Sequence, residues 1–216
     1  MFPNVTINCY EVLVLFMTTL KLIALFLSGY GIGNFSPAFL CGKIVGKFDI
    51  REQGSGNAGT TNVIRLLGWR YGALVFFLDS VKGLAAAVFG FWLGAELGVM
   101  AAVFGVVLGH DFPVFLNFRG GKGIASTTGI FLFLFPVPTL MAMLVFVAVV
   151  LATRMVSVGS LVFVVCMMGY ILLTHQPIAL LIMGVGLTLF AFVRHIENIR
   201  RILRGKENRL SLGEKK

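Results

Sequence analysis

The sequence predicts an all-α membrane protein: a bundle of seven transmembrane helices, N-terminus outside and C-terminus cytoplasmic, joined by glycine-rich cytoplasmic loops. Three observations carry this. Of 216 residues, 58% are hydrophobic and 12% charged, where a soluble domain carries about 25% charged residues, and mean hydropathy is +0.95. Apolar runs recur that approach the ~20 residues needed to cross a bilayer. Basic residues concentrate in alternate loops, as the positive-inside rule requires. The net charge of +9 is therefore a topology signal, and it calls for no nucleic-acid partner.

Taken in order, the first span starts near residue 12 and continues to about 45; Gly29, Gly31, Gly33 and Pro37 within it predict a kink or a half-helix. Residues 71–94 make a second span and 97–108, with flanks, a third. Residues 124 to about 135 and 138–152 follow, separated by the turn Pro136-Val137-Pro138. Residues 155–173 and 177–193 complete the seven, the shorter ones leaning on polar flanks. Lys43, Lys47, Arg51, Arg65 and Arg70 fill the first loop, Arg119 and Lys122 the third, and Arg154 the fifth. Eight more basic residues lie between Arg194 and Lys216. The other loops offer only Glu96 and His175.

Several features are assigned no role. The N-terminus lacks a basic region before its apolar run (its first cation is Lys21), so no cleavable signal is expected. Cys9, Cys41 and Cys166 fit no metal spacing and are expected to be packed thiols; no metal site is predicted. Asn4-Val5-Thr6 matches a glycosylation sequon of a kind that arises often by chance. Glycine pairs four apart (Gly29/Gly33, Gly42/Gly46, Gly90/Gly94, Gly94/Gly98, Gly105/Gly109) predict close helix packing. Asp79 and Lys82 share a helical face within a span, as an ion pair or as support for a polar site.

Three polar segments interrupt the apolar pattern, and the loop charges place all three on the cytoplasmic side. The first, 54–68, reads GSGNAGTTNVIRLLG. Its formal G-x-G-x-x-G lies between spans and not in a βαβ unit, which excludes a dinucleotide fold. Glycines still admit an anion to backbone N–H groups. Ser55, Asn57, Thr61 and Asn62 add donors, Arg65 can fork a phosphate, and a helix starting near Thr61 would add its positive end. A solvated turn with a capping Thr is the competing reading. The second segment, 109–127, contains Arg119-Gly120-Gly121-Lys122-Gly123. Lys122 is followed by glycine, so this is no Walker A loop, but two cations among glycines opening a helix can cradle an anion. His110 ends the preceding span, as an anchor or as a catalyst. The third segment, 194–209, would place Arg194, Asn198 and Arg201 on one helical face, with His195 and Glu197 beside them; binding to anionic headgroups is the alternative.

In order and spacing, these segments resemble the signature motifs of the bacterial acyl-phosphate-dependent glycerol-3-phosphate acyltransferases, the PlsY type. The matches run across Ser55 to Arg65, His110 to Lys122 and Arg194 to Glu207, within a resemblance extending from about Leu22 to Arg209. The resemblance implies residues 1–21 as an N-terminal extension leading into the first helix, 22–209 as the acyltransferase membrane domain and 210–216 as a C-terminal tail. It implies transfer of an acyl chain from acyl phosphate to the 1-hydroxyl of sn-glycerol 3-phosphate, giving lysophosphatidic acid and phosphate, with no cofactor. It also implies a multi-pass protein of the bacterial inner membrane with a cytoplasmic active site. A monomer is compatible with the sequence. Arg119 departs from the family, which usually has Lys there; charge is kept and geometry changes.

On this reading Ser55, Asn57, Thr61, Asn62 and Arg65 hold phosphate. Gly120, Gly121 and Gly123 with Arg119 admit the acyl-phosphate headgroup, and Lys122 neutralises the departing charge. His195 and Asn198 bind glycerol 3-phosphate, while Glu207 and Arg194 brace the tail. The hydroxyl proton goes to His110, to His195 or to a substrate phosphate oxygen. A transporter of a phosphorylated solute would want inverted repeats and a charged path across the bilayer. No repeat is visible, and the outer half carries only Glu11, Lys21 and Glu96. A scaffold for anionic lipid would leave the first two segments without purpose.

Overall fold

A computed structural model describes residues 8–210, which are helical with no strand. The sequon and residues 211–216 lie outside the described residues. Helix α1 (Cys9–Asn34) starts at a capping box in which Asn8 and Glu11 satisfy each other's backbone donors, so most of the N-terminal extension is already helix. The break foreseen in the first apolar run falls at Phe35, where the backbone becomes extended. Ser36 then caps α2 (Pro37–Cys41), which ends in a π-helical turn at Gly42–Gly46. After the glycine loop come α3 (Thr60–Leu67) and the long α4 (Trp69–Asp111).

Helix α4 is two arms. Gly94 (φ −147°, ψ 16°) and Ala95 (φ 47°, ψ −140°) leave helical geometry. Gly90 and Gly98, about 12 Å apart on a straight helix, meet backbone to backbone, so the chain turns back on itself. Beyond it run α5 (Ile124–Leu134), α6 (Pro136–Thr153), α7 (Val156–Leu173), α8 (Ile178–Arg194) and α9 (Ile196–Leu203). One expectation needs correcting here. The third segment is not one continuous helix: α8 and α9 meet at 57° with His195 at the bend, so Arg194 does not share a straight face with Asn198 and Arg201.

Helices α1 and α4 pack at backbone distance. A side chain at Gly29 or Gly33 would run into the carbonyls of Ala102 and Val106, and one at Gly105 or Gly109 into those of Phe26 and Tyr30. In lipid, where burial of apolar surface gives no drive between helices, such contact supplies the dispersion that holds the pair. Val103, Val106, Ile130, Phe131, Phe163 and Met167 form the shared core. Large apolar side chains also face outward, among them Leu140, Met141 and Leu144 of α6. A soluble monomer rarely exposes such a surface, whereas lipid covers it at no cost. Among the described residues, four helices are long and apolar enough to cross a membrane, or five if α8 and α9 are one bent span. Helix α5, at 11 residues, spans about 16 Å, roughly half a ~30 Å hydrocarbon core.

Candidate active site

A cavity of about 130 Å³ lies where the three polar segments converge. The first segment reaches it through α3. Buried Asn62 accepts a hydrogen bond from the Ser55 N–H at 2.9 Å and donates to the carbonyls of Ile50 (2.9 Å) and Gln53 (3.0 Å). This corrects its expected role: the amide is spent on folding the loop and does not line the cavity. The fold it imposes points the N-terminus of α3 inward, so that Ser55, Asn57, Thr60, Thr61 and Arg65 do line it.

The second segment is pinned by its own glycines. Gly120 and Gly121 donate their N–H groups to the carbonyls of Asp111 and His110, each at 3.1 Å, and a Cβ at Gly121 would overlap the His110 ring. Gly121 therefore makes room for the His110 ring and Gly120 for the His110 carbonyl, and neither for a phosphate, a second correction. Gly123 (φ 72°) turns the chain into α5, whose first residues open on the cavity. Two helix N-termini thus face one space, and each favours negative charge. Arg119 is exposed and lies off the cavity, contrary to its expected part in binding.

The third segment supplies the far wall. Lys122 Nζ donates to Asn198 Oδ1, and Asn198 Nδ2 donates to Glu207 Oε1 at 2.6 Å. Ser157 Oγ donates to the same oxygen at 2.8 Å, and Arg201 Nε donates to Oε2 at 2.9 Å. Burial alone would raise the Glu207 carboxyl, but the hydrogen bonds from Asn198, Ser157 and Arg201 hold it below the usual range. Lys122 is pushed the other way. Burial, then the repulsion of Arg201, brings its pKa down to about 8. Behind this wall, Arg194 Nε sits 3.1 Å from Asp111 Oδ2 and a terminal nitrogen donates to Gly121 O at 2.7 Å, locking the second segment to the end of α8.

Two histidines line the cavity and are held differently. His195 Nδ1 is 2.8 Å from Ala191 O. A carbonyl only accepts, so Nδ1 carries hydrogen and Nε2 keeps its lone pair. His110 Nδ1 instead lies 2.7 Å from Lys82 Nζ, which donates to it. Lys82 also pairs with Asp79 at 2.8 Å and donates to Phe35 O (2.8 Å) and Gly33 O (3.3 Å). Phe76, Ile124, Phe146 and Val156 give the cavity an apolar side. Sequence reasoning missed Ser157 and Ser160, both on this lining. Their spacing of three, opening an otherwise apolar helix, was the available signal.

Residues 23–205 match the family model described as glycerol-3-phosphate acyltransferase. The chain belongs to the glycerol-3-phosphate acyltransferase family. Among curated members, that of Clostridioides difficile is 39% identical over 193 residues, covering 87% of this chain and 93% of its own. That of Enterococcus faecalis is 40% identical over 204 residues, covering 90% and 94%. Two crystal structures of PlsY (YgiH), described as an integral membrane glycerol 3-phosphate acyltransferase, superpose on the chain. The glycerol 3-phosphate form gives a TM-score of 0.81 at 33% identity, and the lysophosphatidic acid form 0.79 at 32%. Each covers 90% of this chain and 96% of the solved one. The glycerol-3-phosphate acyltransferase family thus gives this chain its class, a membrane-embedded acyltransferase.

Proposed function

We propose that the chain transfers an acyl group from acyl phosphate to the 1-hydroxyl of sn-glycerol 3-phosphate, releasing lysophosphatidic acid and phosphate on the cytoplasmic face of a bacterial inner membrane. The observation that carries this is the cavity itself. Two helix N-termini and the cations Lys122, Arg65 and Arg201 surround a space with one apolar side, which suits a phosphate joined to an acyl chain. Charged loops support seven spans with the N-terminus outside, counting the two arms of α4 separately and α5 as a short span. Residues 22–209 form the catalytic unit, and no cofactor takes part.

The 1-hydroxyl oxygen attacks the acyl carbonyl carbon, the new C–O bond forms, and the bond from that carbon to the phosphate oxygen breaks. Acyl phosphate is already activated, so catalysis consists of positioning and charge stabilisation. Lys122 meets the departing phosphate while Asn198 and Glu207 fix its direction. Ser55, Asn57, Thr61 and Arg65 hold phosphate from the opposite wall. His110 Nδ1 is held between Lys82 Nζ (2.7 Å) and Asp79 Oδ1 (3.3 Å), so we route the hydroxyl proton to His195 Nε2 or to a substrate phosphate oxygen. A His195→Gln variant that keeps kcat assigns the proton to phosphate; loss of kcat with KM unchanged assigns it to His195.

The deciding assay uses purified protein in detergent with acyl phosphate and glycerol 3-phosphate, following phosphate release and the lipid product by mass spectrometry. Equimolar phosphate and lysophosphatidic acid are expected. No product, together with uptake of glycerol 3-phosphate into liposomes, would replace the enzyme by a transporter.

A further inference from the structure

We infer that Asp79 binds the 2-hydroxyl of the acceptor and so selects among phosphate monoesters; this rests on the glycerol 3-phosphate reading above. Two carboxylates border the cavity, Asp79 and Glu207. Glu207 has both oxygens occupied by Ser157, Asn198 and Arg201. Asp79 is 1% exposed, and its Oδ1 makes no well-aligned hydrogen bond although Lys82 Nζ lies 2.8 Å and His110 Nδ1 3.3 Å away. A carboxylate offers about four lone-pair sites, so Asp79, on the lining of the cavity, has acceptor capacity to spare.

The remaining charged groups on the lining are donors, and donors recognise the phosphate common to every ester. A hydroxyl's hydrogen takes an acceptor, and of the charged groups on the lining only Asp79 has one unspent. The 1-hydroxyl has to meet the acyl carbonyl where phosphate departs among cations, and a carboxylate beside that phosphate would repel it. The carboxylate therefore falls to the hydroxyl that the reaction leaves untouched. Lys82 matches the charge of Asp79, and Phe35 O and Gly33 O fix Lys82 in turn. A site built around such a hydrogen bond penalises a ligand that cannot make it, because the buried polar group is left unpaired.

The test compares glycerol 3-phosphate with 3-hydroxypropyl phosphate, which lacks only the 2-hydroxyl, at fixed acyl phosphate. The wild type is expected to prefer glycerol 3-phosphate by about 10- to 100-fold in kcat/KM, the range of a hydrogen bond to a charged group. Asp79→Asn should shrink that preference to within about threefold, through the acceptor KM, with the KM for acyl phosphate unmoved. Asp79→Glu, which keeps a carboxylate, should retain part of it. A wild type that takes both esters equally overturns the inference even if no variant folds, and so does an Asp79→Asn enzyme with its preference intact. Calorimetric binding of the two esters reads the same contact without turnover. If acyl phosphate gives no product while binding still discriminates, the donor reading falls and Asp79 stands.

Discussion

Lys82 and Lys122 are both drawn away from water, yet their partners differ in kind. Lys82 is 5% exposed and meets a carboxylate, an imidazole and two carbonyls. Lys122 donates to a neutral amide, while Arg201 and Arg194 crowd it with like charge and Glu207 offsets them only in part. The first cation is saturated from within the protein and ties α1 to both arms of α4. The second is positioned but electrically unfinished, and on the proposed function an arriving phosphate completes it. Partner chemistry separates a structural lysine from a working one, and burial does not.

The contrast can be broken from the structural side first. Lys82→Met leaves Asp79 buried without its counter-charge, a change that typically costs about 3–5 kcal/mol; thermal unfolding in detergent should show a large drop. Adding Asp79→Leu should restore much of that stability. On the working side, Lys122→Ala should lower kcat/KM by about 10²–10³-fold, the usual loss for one group aimed at transition-state charge, while the unfolding temperature stays close to wild type. Equal losses of stability in the two single variants would erase the distinction.

Acidity sharpens it further. Burial and Arg201 bring Lys122 down to about 8, against 10.5 for an ordinary lysine, and in the proposed role only its protonated form meets the departing phosphate. Activity should hold below pH 8 and fall as pH rises through it, with Lys122→Arg moving that limb upward. A profile flat to pH 10 would place the working charge elsewhere. The smallest effect belongs to Arg119→Ala. That side chain is exposed and off the cavity, where a charge contributes about 0–1 kcal/mol, so acyl-phosphate KM should change by less than about fivefold.

Much of this architecture is legible in the sequence because lipid imposes a simple pattern. Each apolar run became helix, and the break expected between residues 94 and 97 falls at Gly94 and Ala95. The helix expected near Thr61 begins at Thr60, because Gly59 ends the loop. Donor direction was not legible. Asn62, Gly120 and Gly121 look like phosphate ligands by type, and only the folded loop reveals that their hydrogen bonds are spent at home. Asp111 and Arg194 pair across 83 positions, a separation no local pattern encodes. The bend at His195 is also hidden, since no glycine or proline marks it.

Glu207, three residues from the end of the described chain, holds Asn198, Arg201 and Ser157 in place. The cavity therefore draws on positions from Ser55 to Asn208. A chain cut before Glu207 keeps every apolar helix, yet the Asn198 amide that guides Lys122 loses its carboxylate partner. On the proposed function, a bundle cut there should still sit in the bilayer but turn over little substrate.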